Sequence, residues 1–271
     1  MLILIRKQWR SFLLALGYFT RIDVPSFADF EENELNNAAR YFPLIGIIVG
    51  LFGAAVFILS GYVFPNAIAI LLSMAATVYL TGAFHEDGLA DSADGLGGGW
   101  DKERILTIMQ DSRLGTYGAI ALFFVLFTKF QVLNALPQSF VAYALVMAHA
   151  LSRLSAACMM ATLNYVKPAG KAKPLASHPG AIGLLIAGVF GFLPLMFLPC
   201  YFAPLIIEAH HILALFICVL MPLVIVFLWW RFKIKRWLGG YTGDCLGATQ
   251  QVTELVIYLG FVAYFSGVRL F

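Results

Sequence analysis

The sequence predicts an all-α membrane protein: one domain over residues 1–271, a polytopic bundle of about seven transmembrane helices with an N-terminal interfacial helix and an acidic cytoplasmic loop. Three observations predict it. Hydrophobic residues make up 61% of the chain and charged residues 12%, whereas charged residues run near about 25% in soluble domains. No charged residue occurs over 42–84, 174–207 or 209–230, and one crossing needs only about 20 apolar residues. Finally, with helices drawn through those runs, 15 of the 18 Lys and Arg fall on one side. That side is cytoplasmic by the positive-inside rule, and the opposite connections are short.

The first twenty residues carry Arg6, Lys7 and Arg10 along a long apolar face. No small-residue cleavage pattern follows, so an interfacial amphipathic helix is preferred to a secretion signal, with a short re-entrant segment as the alternative. Crossings are then read at 42–60 and 65–84, broken near Gly61 to Pro65. Next come 117–136, where Lys129 reads as a lone snorkelling lysine, and 139–163, where His149 and Arg153 stand one helical turn apart. An arginine at membrane depth is a functional-site candidate by default. Further crossings follow at 181–202, 211–230 and 252–270. Cys158, Cys200, Cys218 and Cys245 have no paired spacing and read as buried small side chains. His178, His210 and His211 carry no ligand spacing.

Seven of the fifteen carboxylates lie between Glu86 and Asp111. Asp87, Asp91 and Asp94 are spaced i, i+4 and i+7, which on a helix at about 100° per residue puts them within roughly 60° of one another. Three like charges on one face repel unless a cation or partner compensates. Oxygen ligands without a His or Cys grouping favour Mg²⁺, Mn²⁺ or Ca²⁺ over zinc or copper. The spacing is not that of an EF-hand, and no Lys-Ser or Lys-Thr completes a P-loop, so Gly95, Gly97, Gly98 and Gly99 read as a flexible turn near a substrate. A merely solvated loop would not interleave Leu89, Ala90, Ala93 and Leu96 with its aspartates. Burying one aspartate at mid-membrane costs roughly 2.5–3.5 kcal/mol, so the helix leaves the hydrocarbon near His85. Glu86 points to another face and reads as a supporting residue. Further on, Asp111 and Arg113 precede Gly115 and Gly118. A Mg²⁺ site holding a pyrophosphate needs carboxylates for the metal and a guanidinium for phosphate oxygens; Arg113 is either that group or a positive-inside anchor. A second glycine-rich run, LGGYTGDCLGATQQVTE, holds Asp244 and Glu254. For Glu254 two readings stand level, a site residue or an acid at a helix N-terminus.

HEDGLADSADGL with QDSRLGTYG, followed downstream by GYTGDCLGA, resembles the cobalamin synthase family, the adenosylcobinamide-GDP ribazoletransferases. RYFPLIGIIVG and the pair Ser152–Arg153 are also similar, so the resemblance rests chiefly on about 50 residues in two blocks. It implies a Mg²⁺-dependent, multi-pass enzyme of the bacterial inner membrane with its active site facing the cytoplasm. A hydroxyl of α-ribazole, or of its 5′-phosphate, would attack the cobinamide-bearing phosphorus of adenosylcobinamide-GDP, and GMP would leave. Asp87, Asp91, Asp94 and Asp111 would form the metal shell and Arg113 the phosphate clamp. Arg153, Asp244 and His85 would bind substrate, and no general base is assigned. No nucleic-acid partner is expected, and a homo-oligomer is left open. Two alternatives stand beside this reading. A CDP-alcohol phosphotransferase shares the aspartate-rich site, but Leu89-Ala90-Asp91 stands where its Ala-Arg pair should follow. A transporter would run past Lys129, His149 and Arg153, but it commonly shows internal repeats, and none is seen.

Overall fold

The computed structural model describes residues 2–25, 37–167, 178–197 and 213–268, with no side-chain description for 2–5. Cys200, His210 and His211 lie outside these residues, as do the ends of several expected crossings. Among the described residues ten α-helices follow in order: α1 Leu2–Phe19, α2 Phe42–Gly61, α3 Asn66–Thr81, α4 Phe84–Gly98, α5 Lys102–Ile108, α6 Thr116–Ala135, α7 Gln138–Thr162, α8 Gly180–Phe192, α9 Met221–Leu238 and α10 Gly243–Val268. Short 3₁₀ turns lead into α2 and out of α8, and a π-turn over Phe216–Leu220 leads into α9. Among the described residues six helical segments are long and apolar enough to cross a bilayer, and α3 and α4 pass the same test only together, as a pair bent by 86°. The polytopic bundle expected from hydropathy is therefore the architecture found.

The core is built on α7 and α10. On α7, Phe140, Ala144, Met147, Ala148, Leu151 and Ala157 are buried, and Tyr258 and Phe261 of α10 pack into the same cluster. α2 approaches α7 backbone to backbone. A Cβ on Gly46 would stand 2.2 Å from the His149 carbonyl oxygen, and one on Gly50 2.6 Å from Val146 Cα, so only glycine admits this packing. α1 turns Ser11, Ala15 and Phe19 inward at helical spacing and leaves Trp9 exposed, as an amphipathic helix does.

α3 ends at Gly82 and Ala83, both left-handed (φ 68° and 57°), and α4 leaves at 86° to α3. The acidic stretch is therefore not a loop: its first half is the helix α4, carrying the aspartates on one face, and its second half contains α5. The bend is tied down by Arg21, whose N–H donates to the Leu80 carbonyl at 2.8 Å and whose guanidinium lies 5.1 Å from the Tyr79 ring centre. The glycines expected to form a flexible turn are helical or packed instead. Gly95, Gly97 and Gly98 lie within α4. A Cβ on Gly95 would meet Met109 at 2.6 Å, and one on Gly97 would meet the Tyr117 ring at 2.6 Å. Their small size lets α4 seat against α5 and α6. Of the cysteines, Cys245 is buried, whereas Cys158 and Cys218 are half-buried rather than buried.

Candidate active site

α4 presents Asp87 exposed, Asp91 half-buried and Asp94 buried. Asp94 has a defined structural task. Its carboxylate accepts hydrogen bonds from the Gly115 N–H at 2.8 Å and the Gly118 N–H at 2.9 Å, at the first turn of α6. A helix N-terminus offers unpaired N–H groups and a partial positive charge, and a carboxylate satisfies both. The two glycines of GTYG are required by that contact, because a Cβ would stand 2.3 Å (Gly115) or 2.4 Å (Gly118) from an Asp94 oxygen.

α10 brings Asp244 to the same place. α4 and α10 cross where Gly88 meets Gly247; a Cβ on Gly88 would lie 2.8 Å from the Asp244 carbonyl oxygen. Asp91 responds to the crowding: burial, then the charges of Asp87 and Asp244, push its carboxyl up to about 7, against the opposing effect of Lys167. Lys167 Nζ donates to Asp244 Oδ2 at 2.7 Å. The lysine is held there by its backbone. Tyr241 N–H donates to the Asn164 carbonyl at 2.8 Å and Val166 N–H to the Tyr241 carbonyl at 3.0 Å, an isolated parallel bridge that lays residues 164–167 against the start of α10.

Asp111 and Arg113 form an exposed pair of their own. Arg113 donates from its guanidinium to both Asp111 oxygens, at 2.6–3.1 Å, and from its backbone N–H. Those bonds hold the Asp111 carboxyl down at about 2. His85 is buried, stacked on Phe19 with ring centres 6.0 Å apart, and lines one narrow cleft with Arg153, Gln250 and Gly243. Arg153 is 3% exposed. Its Nη1 lies 3.1 Å from His149 Nδ1 and donates to the His149 carbonyl at 3.2 Å, while its Nε finds no partner among the described residues.

Below the acidic helix lies a buried polar network that sequence reasoning missed. Lys129 is not a snorkeller: it is 4% exposed, and Nζ donates to Glu254 Oε1 at 2.8 Å and to Gln251 Oε1 at 2.7 Å. Nor does Glu254 serve a helix N-terminus, because α10 begins eleven residues earlier, at Gly243. Glu254 Oε2 stands 3.4 Å from His149 Nδ1 and accepts from Gln250 Nε2. Gln251 Nε2 donates to Glu86 Oε1 at 2.8 Å, joining the network to α4 one residue before Asp87. The polar run Gln250, Gln251 and Glu254, with Lys129, His149 and Arg153 inside apolar helices, was the available signal.

Among the described residues, no three His, Cys, Asp or Glu side chains stand together in a ready metal cage. Mg²⁺ seldom needs one; it is usually held by one or two carboxylates, waters and substrate phosphates. Asp87, Asp91 and Asp244 supply hard oxygen donors and a surplus of negative charge, which fits such an ion.

Residues 11–262 match the family described as Cobalamin-5-phosphate synthase. The chain belongs to that family. A protein of Ralstonia pickettii (strain 12J), named adenosylcobinamide-GDP ribazoletransferase, is 46% identical over 266 residues, covering 97% of this chain and 98% of that protein. Proteins of the same name from Shewanella sp. (strain W3-18-1) and Shewanella oneidensis are each 44% identical, covering 94% and 93% of this chain and 95% of each relative. No solved structure matches the chain. Family membership makes the protein an enzyme of cobalamin assembly, not a carrier.

Proposed function

We propose that this protein joins adenosylcobinamide-GDP to α-ribazole, or to its 5′-phosphate, with release of GMP, at a Mg²⁺-dependent site on the cytoplasmic face of the bacterial inner membrane. The relatives' shared name supports the reaction. The observation that carries the site is the Lys167–Asp244 ion pair at the crossing of α4 and α10, near enough to Asp91 for both charges to act on its carboxyl. Breaking a pyrophosphate beside a second anionic nucleotide is mainly a problem of charge and alignment. Bound Mg²⁺ would supply charge neutralisation across the two phosphates. Asp87 and Asp91 would hold it, with Asp244 across the helix crossing. Asp94 would act at one remove, fixing α6 and its preceding loop against α4. Arg113 would then stand on that loop, exposed and paired to Asp111, ready to exchange one anion for another. Arg153 and His85 would line the inner wall, where burial keeps water out.

The test is incubation of the detergent-purified chain with adenosylcobinamide-GDP and α-ribazole 5′-phosphate, with and without Mg²⁺, beside Asp91→Asn. GMP and a joined corrinoid should form together and be lost without metal or with the variant. A folded preparation giving no product with any divalent metal would refute the reading.

A further inference from the structure

Lys167 pairs with Asp244 at the crossing of α4 and α10, and the ammonium is the part that the family resemblance leaves without a role. Lys167 is only 12% exposed at its side chain, against 86% for Arg113. Its Nζ is 2.7 Å from Asp244 Oδ2, and its charge also reaches Asp91. The backbone at 164–166 is pinned to Tyr241 by two hydrogen bonds, which fixes where the flexible four-carbon side chain starts. A divalent cation taken up at Asp244 would compete with Lys167 for that carboxylate. The displaced ammonium would still need an anion, within reach of a stem anchored beside the site.

We propose that Lys167 is a substrate-binding residue: the counter-ion of Asp244 before the metal enters, and the cation that meets the pyrophosphate oxygens of the nucleoside-diphosphate-bearing substrate afterwards. This rests on the function proposed above. An ammonium suits the task because it binds phosphate as a movable point charge.

The proposal predicts opposite shifts in two measurements. With Lys167→Met, Mn²⁺ titrated alone into the full-length chain in detergent and followed by electron paramagnetic resonance should bind several-fold more tightly than to wild type, because its competitor is gone. The KM for adenosylcobinamide-GDP should rise about 10- to 100-fold, the loss expected of one charged hydrogen bond. Lys167→Arg, which keeps the charge, should hold KM within a few-fold of wild type. A lysine that merely braced Asp244 would, on removal, weaken Mn²⁺ binding, and that result overturns the proposal. So does an unchanged KM in the methionine variant with Mn²⁺ binding intact, which leaves the carboxylate site standing. Wild type that binds no Mn²⁺ at all would remove the metal reading and this proposal together. Lys167→Gln serves if the methionine variant does not fold, with the same expected shifts.

Discussion

Removing one partner of the buried Lys129–Glu254 pair should cripple the fold, and removing both should not. The pair sits at 4% exposure on each side, with Nζ to Oε1 at 2.8 Å, so either single change strands a charge away from water. Breaking a buried pair in this way costs about 3–5 kcal/mol, whereas replacing both partners with apolar groups is often nearly neutral. For Lys129→Met, Glu254 Oε1 and Gln251 Oε1 lose their donor; for Glu254→Met the ammonium keeps only the neutral Gln251 Oε1, and Gln250 Nε2 and His149 lose their carboxylate. In the double variant neither charge of the pair is stranded, and the Gln250 and Gln251 amides and the His149 ring each lose one partner, at about 1 kcal/mol each. Each single variant should therefore lower Tm by about 6–20 °C, taking about 2–4 °C per kcal/mol for a chain of this size. The double variant should recover most of that loss. Intrinsic tryptophan fluorescence on heating, in one detergent, reads all four proteins. Additive effects of the two single changes, or a single-variant loss below about 1 kcal/mol, would refute the reasoning.

Two further outcomes follow from the acidic helix. Gly118→Ala would put a methyl 2.4 Å from an Asp94 oxygen and 3.0 Å from the Ala90 carbonyl, so it should destabilise by about 1–3 kcal/mol and reduce GMP release; a variant with wild-type Tm and turnover would contradict the capping role of Asp94. Asp91, with its carboxyl raised from the ordinary range to about 7 in the folded chain, destabilises the metal-free fold, an effect absent below the unfolded value, growing as pH rises, and complete above about 7. In a chelator, Asp91→Asn should thus raise Tm more at pH 8 than at pH 5, and an equal or reversed gain would argue against a crowded Asp91.

The membrane architecture was legible because hydropathy is a local signal: the uncharged run over 42–84 alone demands two crossings. The shared face of Asp87, Asp91 and Asp94 was legible from helical spacing for the same reason. What the three do on that face was not. Asp94 is taken up by two backbone N–H groups more than twenty residues away, and no spacing within α4 announces that. Lys129 looked solitary because its partner is 125 residues further along. The glycines after Asp94 looked like a mobile loop because a packed glycine and a flexible one read identically until their neighbours are known. Lys167 gained a partner only through the bridge between Tyr165 and Tyr241, two short segments with no strand pattern in either.

The separation of Lys129 from Glu254 also bears on how the protein is made. α6 enters the bilayer with its lysine before α7, α8 and α9 have been synthesised, and Glu254 lies on α10, the last described helix. At about 5–20 residues per second, those 125 residues take about 6–25 s to make. Throughout that interval the nascent chain holds a lysine at membrane depth without its carboxylate. Closure of the interior is thus a late event of biogenesis, and a chain stopped short of α10 carries a lysine whose two partners have not been made.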